Sequence, residues 1–236
     1  MKKTLAIALA ALAAISSAVA KPFVPGKTAV VTIMANDRIT WYGEEDKEGT
    51  GLVNLAIRKG ITDSGSKEDQ IMAGQTAYMM EDVKAAVFEV FAEKGIEIIP
   101  EEEVLSSEAY AAATNSKFLQ AGFMLSPKGY KLLGTNEKKV YPVIIPELGA
   151  NNLALISFNI QKTMVNGVGH NGSMKACASV TIQFLDEKAK MAKSLSGYAS
   201  ASNAIPVVKG VYDPKALAEG YPEALRAALR KALSKI

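Results

Sequence analysis

Six residues form the one formal chemical motif in the chain. Gly167-Val168-Gly169-His170-Asn171-Gly172 matches G-x-G-x-x-G. Glycines at this spacing hold a dinucleotide when a strand precedes them and a helix follows, because free N–H groups at the helix start meet the pyrophosphate. Here Met174 to Leu185 follows, and it alternates like a strand. The pattern predicts instead a hairpin loop, Val165 to Ser173, whose glycines tolerate positive φ. No nucleotide or other cofactor is expected.

His170 is the only histidine and Cys177 the only cysteine. A general base needs an orienting partner and a nucleophile within reach. No G-x-S-x-G, S-x-x-K or H-E-x-x-H pattern supplies one, so no catalytic residue is nominated and His170 reads as a solvated turn residue. One Cys and one His do not close a zinc or iron–sulfur shell, and a lone Cys forms no internal disulfide. Cys177 reads as an inert thiol under a covering helix. The acids Glu44, Glu45, Asp46 and Glu48, and the triplet Glu101-Glu102-Glu103, do not match a calcium loop and read as solvated charge.

Recognition residues are a different matter. Trp41, the only tryptophan, stands beside Tyr42 with Arg38 close by. These types are enriched at binding hot spots because they bury large area and keep a polar group. They open a long charged excursion, 36–75, and long excursions carry function more often than core elements. Arg38, Trp41 and Tyr42 are therefore the candidate partner-binding residues. The competing expectation is that Trp41 folds back to plug one end of the sheet.

The elements that must position these residues follow from periodicity. Thr28 to Ala35 is a continuous apolar run suited to a strand buried on both faces. The excursion holds one apolar piece, Leu52 to Ile57, with room for a short helix. Thr76 to Lys94 carries Val83, Ala86, Val87, Val90 and Phe91 on one helical stripe, with Gly95 placed to stop it. Ile96 to Ile99 reads as a strand ended by Pro100. Ser106 or Ser107 caps a short helix through Ala113. Phe118 to Leu125 reads as a strand and Ser126 to Gly129 as a turn. Val140 to Leu148 is either a Pro-interrupted helix or a strand and turn.

Asn152 to Met164 and Met174 to Leu185 alternate with period two. They predict an antiparallel hairpin with one buried face, bearing Phe158 and Ile182. Met191 to Ala204 is a weaker third strand. Asp213-Pro214 caps a terminal amphipathic helix over 214–235, with Arg226, Arg230 and Lys231 on its solvated side.

The first twenty residues read as a secretory signal peptide. Lys2 and Lys3 precede an apolar run, Leu5 to Ile15, and Ala18-Val19-Ala20 offers a small-residue cleavage site before Lys21. The run is shorter than the roughly 20 residues that cross a bilayer, and no later stretch suits a membrane span. Cleavage leaves 216 residues, with 25 basic against 24 acidic side chains. A balance near zero gives no case for nucleic acid or anionic membrane as partner.

The stretch Glu147-Leu148-Gly149-Ala150-Asn151-Asn152-Leu153-Ala154-Leu155-Ile156 resembles the helix, Leu-Gly-Ala, Asp/Asn, apolar-strand junction of small periplasmic α/β domains. Those are the domains of the curli-secretion lipoprotein CsgG, the TolB N-terminal domain and the penicillin-binding-protein activator LpoB. The order of elements is also similar, although no lipidation Cys stands at the cleavage point. The resemblance implies a non-enzymatic envelope role through protein contacts and carries over no functional residue.

The expectation is thus an α/β (α+β) chain: a signal peptide over 1–20, then one domain over 21–236. That domain holds a mixed β-sheet of about five strands with packed helices, the hairpin and the C-terminal helix. The expected role is a periplasmic or secreted binding or scaffold protein with an envelope protein partner. The alternatives are a hydrolase of scattered residues and a small-ligand carrier. A buried, perturbed carboxylate in a polar pocket favours the hydrolase, a closed apolar cavity the carrier, and an exposed aromatic patch the scaffold.

Overall fold

The apolar run near the start forms β1, Thr28–Asn36, and it is followed by the short strands β2, Thr40–Trp41, and β3, Thr62–Asp63. The computed structural model describes residues 23–42, 62–63, 76–137, 139–168 and 170–236. The expected leader, the piece Leu52 to Ile57, the acids Glu44 to Glu48 and Gly169 lie outside the described residues. A 3-10 turn, Ala77–Met79, leads into α1, Met80–Glu93, and Gly95 ends it at φ +66°.

The next segment departs from expectation in two places. Ile96 to Ile99 is not a strand but a single parallel bridge between Ile98 and Thr28. Pro100 stops it, having no N–H to extend a ladder, and opens α2, Glu101–Ser106. Ser107 caps α3, Glu108–Ala112, by accepting from the Tyr110 N–H at 3.1 Å. Phe118 to Leu125 splits: Lys117–Ala121 is α4, and only Met124–Leu125 pairs, as β4. Residues 117–121 are good helix formers, and Gly122 follows.

Tyr141–Leu148 is α5, ended by Gly149 in the left-handed region at φ +57°. Then come β5, Asn152–Val168, β6, Asn171–Leu185, and β7, Met191–Ser200. Two short strands follow, β8, Ile205–Val207, and β9, Val211–Tyr212.

The terminal helix is two helices, α6, Pro214–Ala218, and α7, Tyr221–Leu233. Asp213 caps the first, accepting from the Lys215 and Ala216 N–H groups. Pro222 breaks the pair, since its ring clashes with the carbonyl a turn before it.

The main sheet runs β4-β1-β5-β6-β7, with β2 added beside β5 and β8 beside β6. β1 is parallel to β5, and β5, β6 and β7 are antiparallel, so the fold is a mixed sheet with packed helices. β1 lies second in the order, and its outer edge is sealed by the Ile98 bridge and β4 at its two ends and by side chains between them. Tyr110 Oη donates to the Val31 carbonyl at 3.1 Å, and Ser126 Oγ to the Ile33 carbonyl at 2.8 Å. Such coverage removes an edge that would otherwise pair with another chain.

The hairpin has two buried faces rather than one. On the first face, Ala154, Ile156, Phe158, Ile160, Ala178, Val180, Ile182 and Phe184 join the α1 and α7 stripes in the main core. On the second, Leu153, Leu155 and Leu185 pack with Val104, Tyr110, Tyr141 and Ile144 from α2, α3 and α5. The second core covers only the end of the sheet where β5 begins. Towards the far end, Ser157, Asn159, Ser179 and Thr181 are half-exposed on that face.

Arg226 and Arg230 are not simply solvated. Arg226 Nε donates to Glu89 at 2.7 Å, and Arg230 grips Glu93 with two bonds of 2.7 and 2.8 Å. One-turn spacing on both helices makes this a two-rung ladder between α1 and α7. The Arg230 bonds hold the Glu93 carboxyl below its ordinary range.

Candidate functional site

β1 and β5 run parallel and finish at the same end of the sheet. β2 continues that edge by pairing Thr40 with Gln161 and Trp41 with Lys162. The three nominated residues gather here but do not share one surface. A strand alternates its side chains, so Trp41 and Tyr42 leave on opposite faces.

Trp41 packs against the main core. The Lys162 ammonium lies 5.1 Å from the centroids of both the Trp41 and Tyr212 rings and donates to Tyr212 Oη at 2.9 Å. A cation between two aromatic faces is attracted to both. Tyr42 is 44% exposed, and its ring meets Tyr198 of β7 at 4.3 Å between centroids. Arg38 is 79% exposed, with the Asp37 carboxylate 3.8 Å away.

The Tyr42–Tyr198 pair sits on the face that also carries Gln161 and Cys177, which are register partners on the intervening strands. Both are buried, Cys177 completely. Among the described residues, the thiol's neighbour is thus Tyr198 rather than a covering helix. Burial pushes the Cys177 thiol up to about 11, against a lowering hydrogen bond with Tyr198. Burial also takes the Tyr198 phenol up to about 12, against a hydrogen bond shared with Ser200 Oγ at 3.1 Å. A thiol held protonated at neutral pH is a poor nucleophile.

These shifts give a pH dependence with a definite sign. The folded state holds the neutral thiol and phenols, including Tyr110, raised by burial to about 12. The unfolded chain releases these protons at about pH 8.5 for the thiol and about 10 for the phenols. Stability is therefore fully present below about pH 8.5 and is lost as pH rises through the folded values. Urea midpoints are expected to fall steadily from pH 8 to 11, and Cys177→Ser to soften the early part of the fall. A flat or rising profile contradicts the burial of these groups.

The same end carries a feature that composition and periodicity do not reveal. The Asp37 N–H donates to the Phe123 carbonyl at 2.9 Å, and the Asp37 carbonyl accepts from the Thr76 N–H at 3.0 Å. Asp37 thereby ties together three chain segments that present large exposed groups: Arg38, Tyr78, and the Phe118–Phe123 stretch. Phe118 is 83% exposed and Phe123 68%. Phe123 also adopts a left-handed backbone at φ +54°, which a bulky residue rarely takes. Neither burial nor local geometry accounts for a phenylalanine there. The only signal in the sequence is a pair of phenylalanines five apart, interrupted by Gly122.

The glycine motif is a hairpin tip. Gly167 and Gly172 are cross-strand partners, and a Cβ on Gly172 would stand 2.2 Å from the Asn166 carbonyl oxygen. Close approach of two strands explains those glycines, and β6 follows where a pyrophosphate site needs a helix. His170 is exposed, with its carbonyl accepting from the Gly210 N–H at 2.6 Å. The expected result of calorimetry with NAD, FAD or ATP is no heat of binding. Saturable binding lost in Gly172→Val contradicts this.

Among the described residues, no group of three or more His, Cys, Asp or Glu side chains is placed to hold a metal. Glu101 of the acidic triplet pairs with Lys84 at 3.4 Å. A groove of mainly apolar lining, about 600 Å³, runs between α3 and α5 past Ala109, Ala112, Val140 and Val143. Glu147 at its rim accepts from the Glu108 and Ala109 N–H groups. Among the described residues, no helix is long and apolar enough to cross a membrane. No protein-family model matches the chain, and neither a curated protein nor a solved structure matches it.

Proposed function

We propose that this chain is an exported, non-enzymatic binding or scaffold protein of the bacterial cell envelope, periplasmic or secreted, that holds a protein partner at the carboxyl end of β1. The observation that carries the reading is that Phe118, Phe123, Tyr78 and Arg38 are exposed on chain segments that the Asp37 backbone ties together, which we read as one rim. Exposed aromatic groups beside an arginine are the composition of an interface centre. Tyr42 extends the rim, and Trp41 stiffens its base through contact with the core and Lys162. Export rests on the leader-like residues 1–20.

A photoreactive residue placed at Phe123 in the producing cell tests the reading. The expected result is a cross-link to one envelope protein from Phe123, and none from the same residue placed at Val143, in the distant α3–α5 groove. Equal cross-linking from both positions, or none from either, removes support for the rim. Sequencing the processed chain tests export: Lys21 is the expected first residue. Recovery of intact Met1 in a membrane-embedded form contradicts it.

A further inference from the structure

The two edges of the main sheet are treated differently. The outer edge of β1 is sealed by Tyr110, Ser126, β4 and the Ile98 bridge. β7 pairs with β6 on one side, and among the described residues no strand pairs with its other side. In an antiparallel ladder the N–H and C=O groups of one residue point to the same side, and alternate residues point the same way. The Ser196 carbonyl points outward, because it accepts from Lys235 Nζ at 2.5 Å. Ser194 and Tyr198 therefore also direct their N–H and C=O groups outward, and Ser194 and Ser196 are exposed.

One flank of α7 forms a wall along this edge. Glu223, Ala227 and Lys231 recur at one-turn spacing, and Lys235 continues the row past the helix end. At one end of the row, the Glu223 carboxylate accepts from the Ser202 N–H and Oγ at 3.0 Å each. At the other, Lys235 reaches Ser196. The row thus runs beside β7 from just past its finish to its middle. The opposite flank of α7 is the one that holds Arg226 and Arg230 against α1.

The trough is cationic. β7 has no acidic residue, and Lys193 lies on the α7 side of the sheet, one pair beyond Leu195. Lys231 and Lys235, on the α7 row, bring the lysines along this edge to three. The one acid on the wall, Glu223, is engaged by Ser202.

We propose that the outer edge of β7 is a strand-addition site for an extended, acidic segment of a partner protein. The incoming main chain pairs with Ser194, Ser196 and Tyr198, as in other edge-strand recognition. An incoming N–H takes over the Ser196 carbonyl, which releases the Lys235 ammonium to meet a carboxylate. Charge decides against a second copy of this chain: a twofold pairing about Ser196 sets Lys235 against Lys235. The site meets the rim only where the Tyr198 ring packs on Tyr42. Ser196, Lys231 and Lys235, which the test alters, lie outside the rim, so either assignment can fail alone.

The test uses the mature chain and a labelled ten-residue peptide of alternating Glu with Val and Thr, followed by fluorescence anisotropy. A peptide with Lys in place of Glu is the comparison. Saturable binding of the Glu peptide alone is expected, with the Ser194, Ser196 and Tyr198 amides exchanging quickly in the free protein and slowly in the complex. Lys231→Glu with Lys235→Glu is expected to weaken binding about tenfold or more. Ser196→Pro, which removes an outward N–H and leaves the β6 ladder intact, is expected to abolish it.

Failure of Ser196→Pro to fold leaves the lysine reversal to decide. Slow exchange of the three amides in the free protein overturns the proposal, because the edge is then already covered. Binding unchanged in the lysine reversal, or in folded Ser196→Pro, also overturns it.

Discussion

Gly197→Val is expected to be the most damaging single substitution in the described fold. Gly197 lies on β7 beneath α7, and a Cβ there would stand 2.1 Å from the Ala228 carbonyl oxygen and 2.7 Å from the Ala232 nitrogen. Both are helix backbone atoms, so no side chain can swing aside. The helix must lift from the sheet, which strips cover from Leu225, Ala228, Leu229 and Ala232, all buried in the main core. Overpacking usually costs about 1–3 kcal/mol. A clash with fixed backbone belongs to the tail beyond about 4 kcal/mol. Urea unfolding measures it, with Gly134→Ala as the control, because a Cβ there meets nothing closer than 3.7 Å. A Gly197→Val midpoint near wild type means that α7 does not rest on β7.

Phe158→Ala is the second large effect. Phe158 is 1% exposed in the main core, opposite Val180 of β6 and Ala35 of β1. Losing the ring removes burial and leaves a cavity that β5, held by strands on both sides, cannot collapse to fill. The expected loss is about 3–5 kcal/mol. Thr181→Ala, on the half-exposed opposite face, is expected to change little. The pair of substitutions also tests strand phase, since a one-residue slip exchanges the two faces. A neutral Phe158→Ala beside a damaging Thr181→Ala establishes that slip.

The elements that were legible are those whose burial pattern repeats along their own length. β1 reads as an unbroken apolar run and α1 as a 3.6-residue stripe, and the hairpin's alternation gives its antiparallel pairing but not its second buried face. Asp213-Pro214 announces a cap because capping is a local bond. The residues between Pro100 and Gly149 were the hard part. Their helices run five to eight residues, too short to display a period, and the second core they build was invisible as a result. Phe118 and Phe123 show the limit most directly. A phenylalanine in a sequence is a core residue by default, and only the packing of its neighbours reveals that it is left outside.

The candidate site was legible in place but not in composition. Arg38, Trp41 and Tyr42 do gather at one end of the sheet. Alternation along β2 sends Trp41 towards the core and Tyr42 towards Tyr198, a separation that side-chain types alone do not disclose. The Arg226 and Arg230 ladder was missed for a related reason: its acids, Glu89 and Glu93, lie 137 positions away.

The most direct test of the central claim is comparative capture from envelope extract by the immobilised mature chain, quantified for wild type and two variants. The variants are Phe118→Asp with Phe123→Asp, at the rim, and Val143→Asp, at the α3–α5 groove. Each must first unfold at the wild-type midpoint. The predicted result is one envelope protein retained by wild type and by Val143→Asp, and lost from the rim variant. Retention of the same protein by the rim variant, or no protein retained above background by wild type, would contradict the claim.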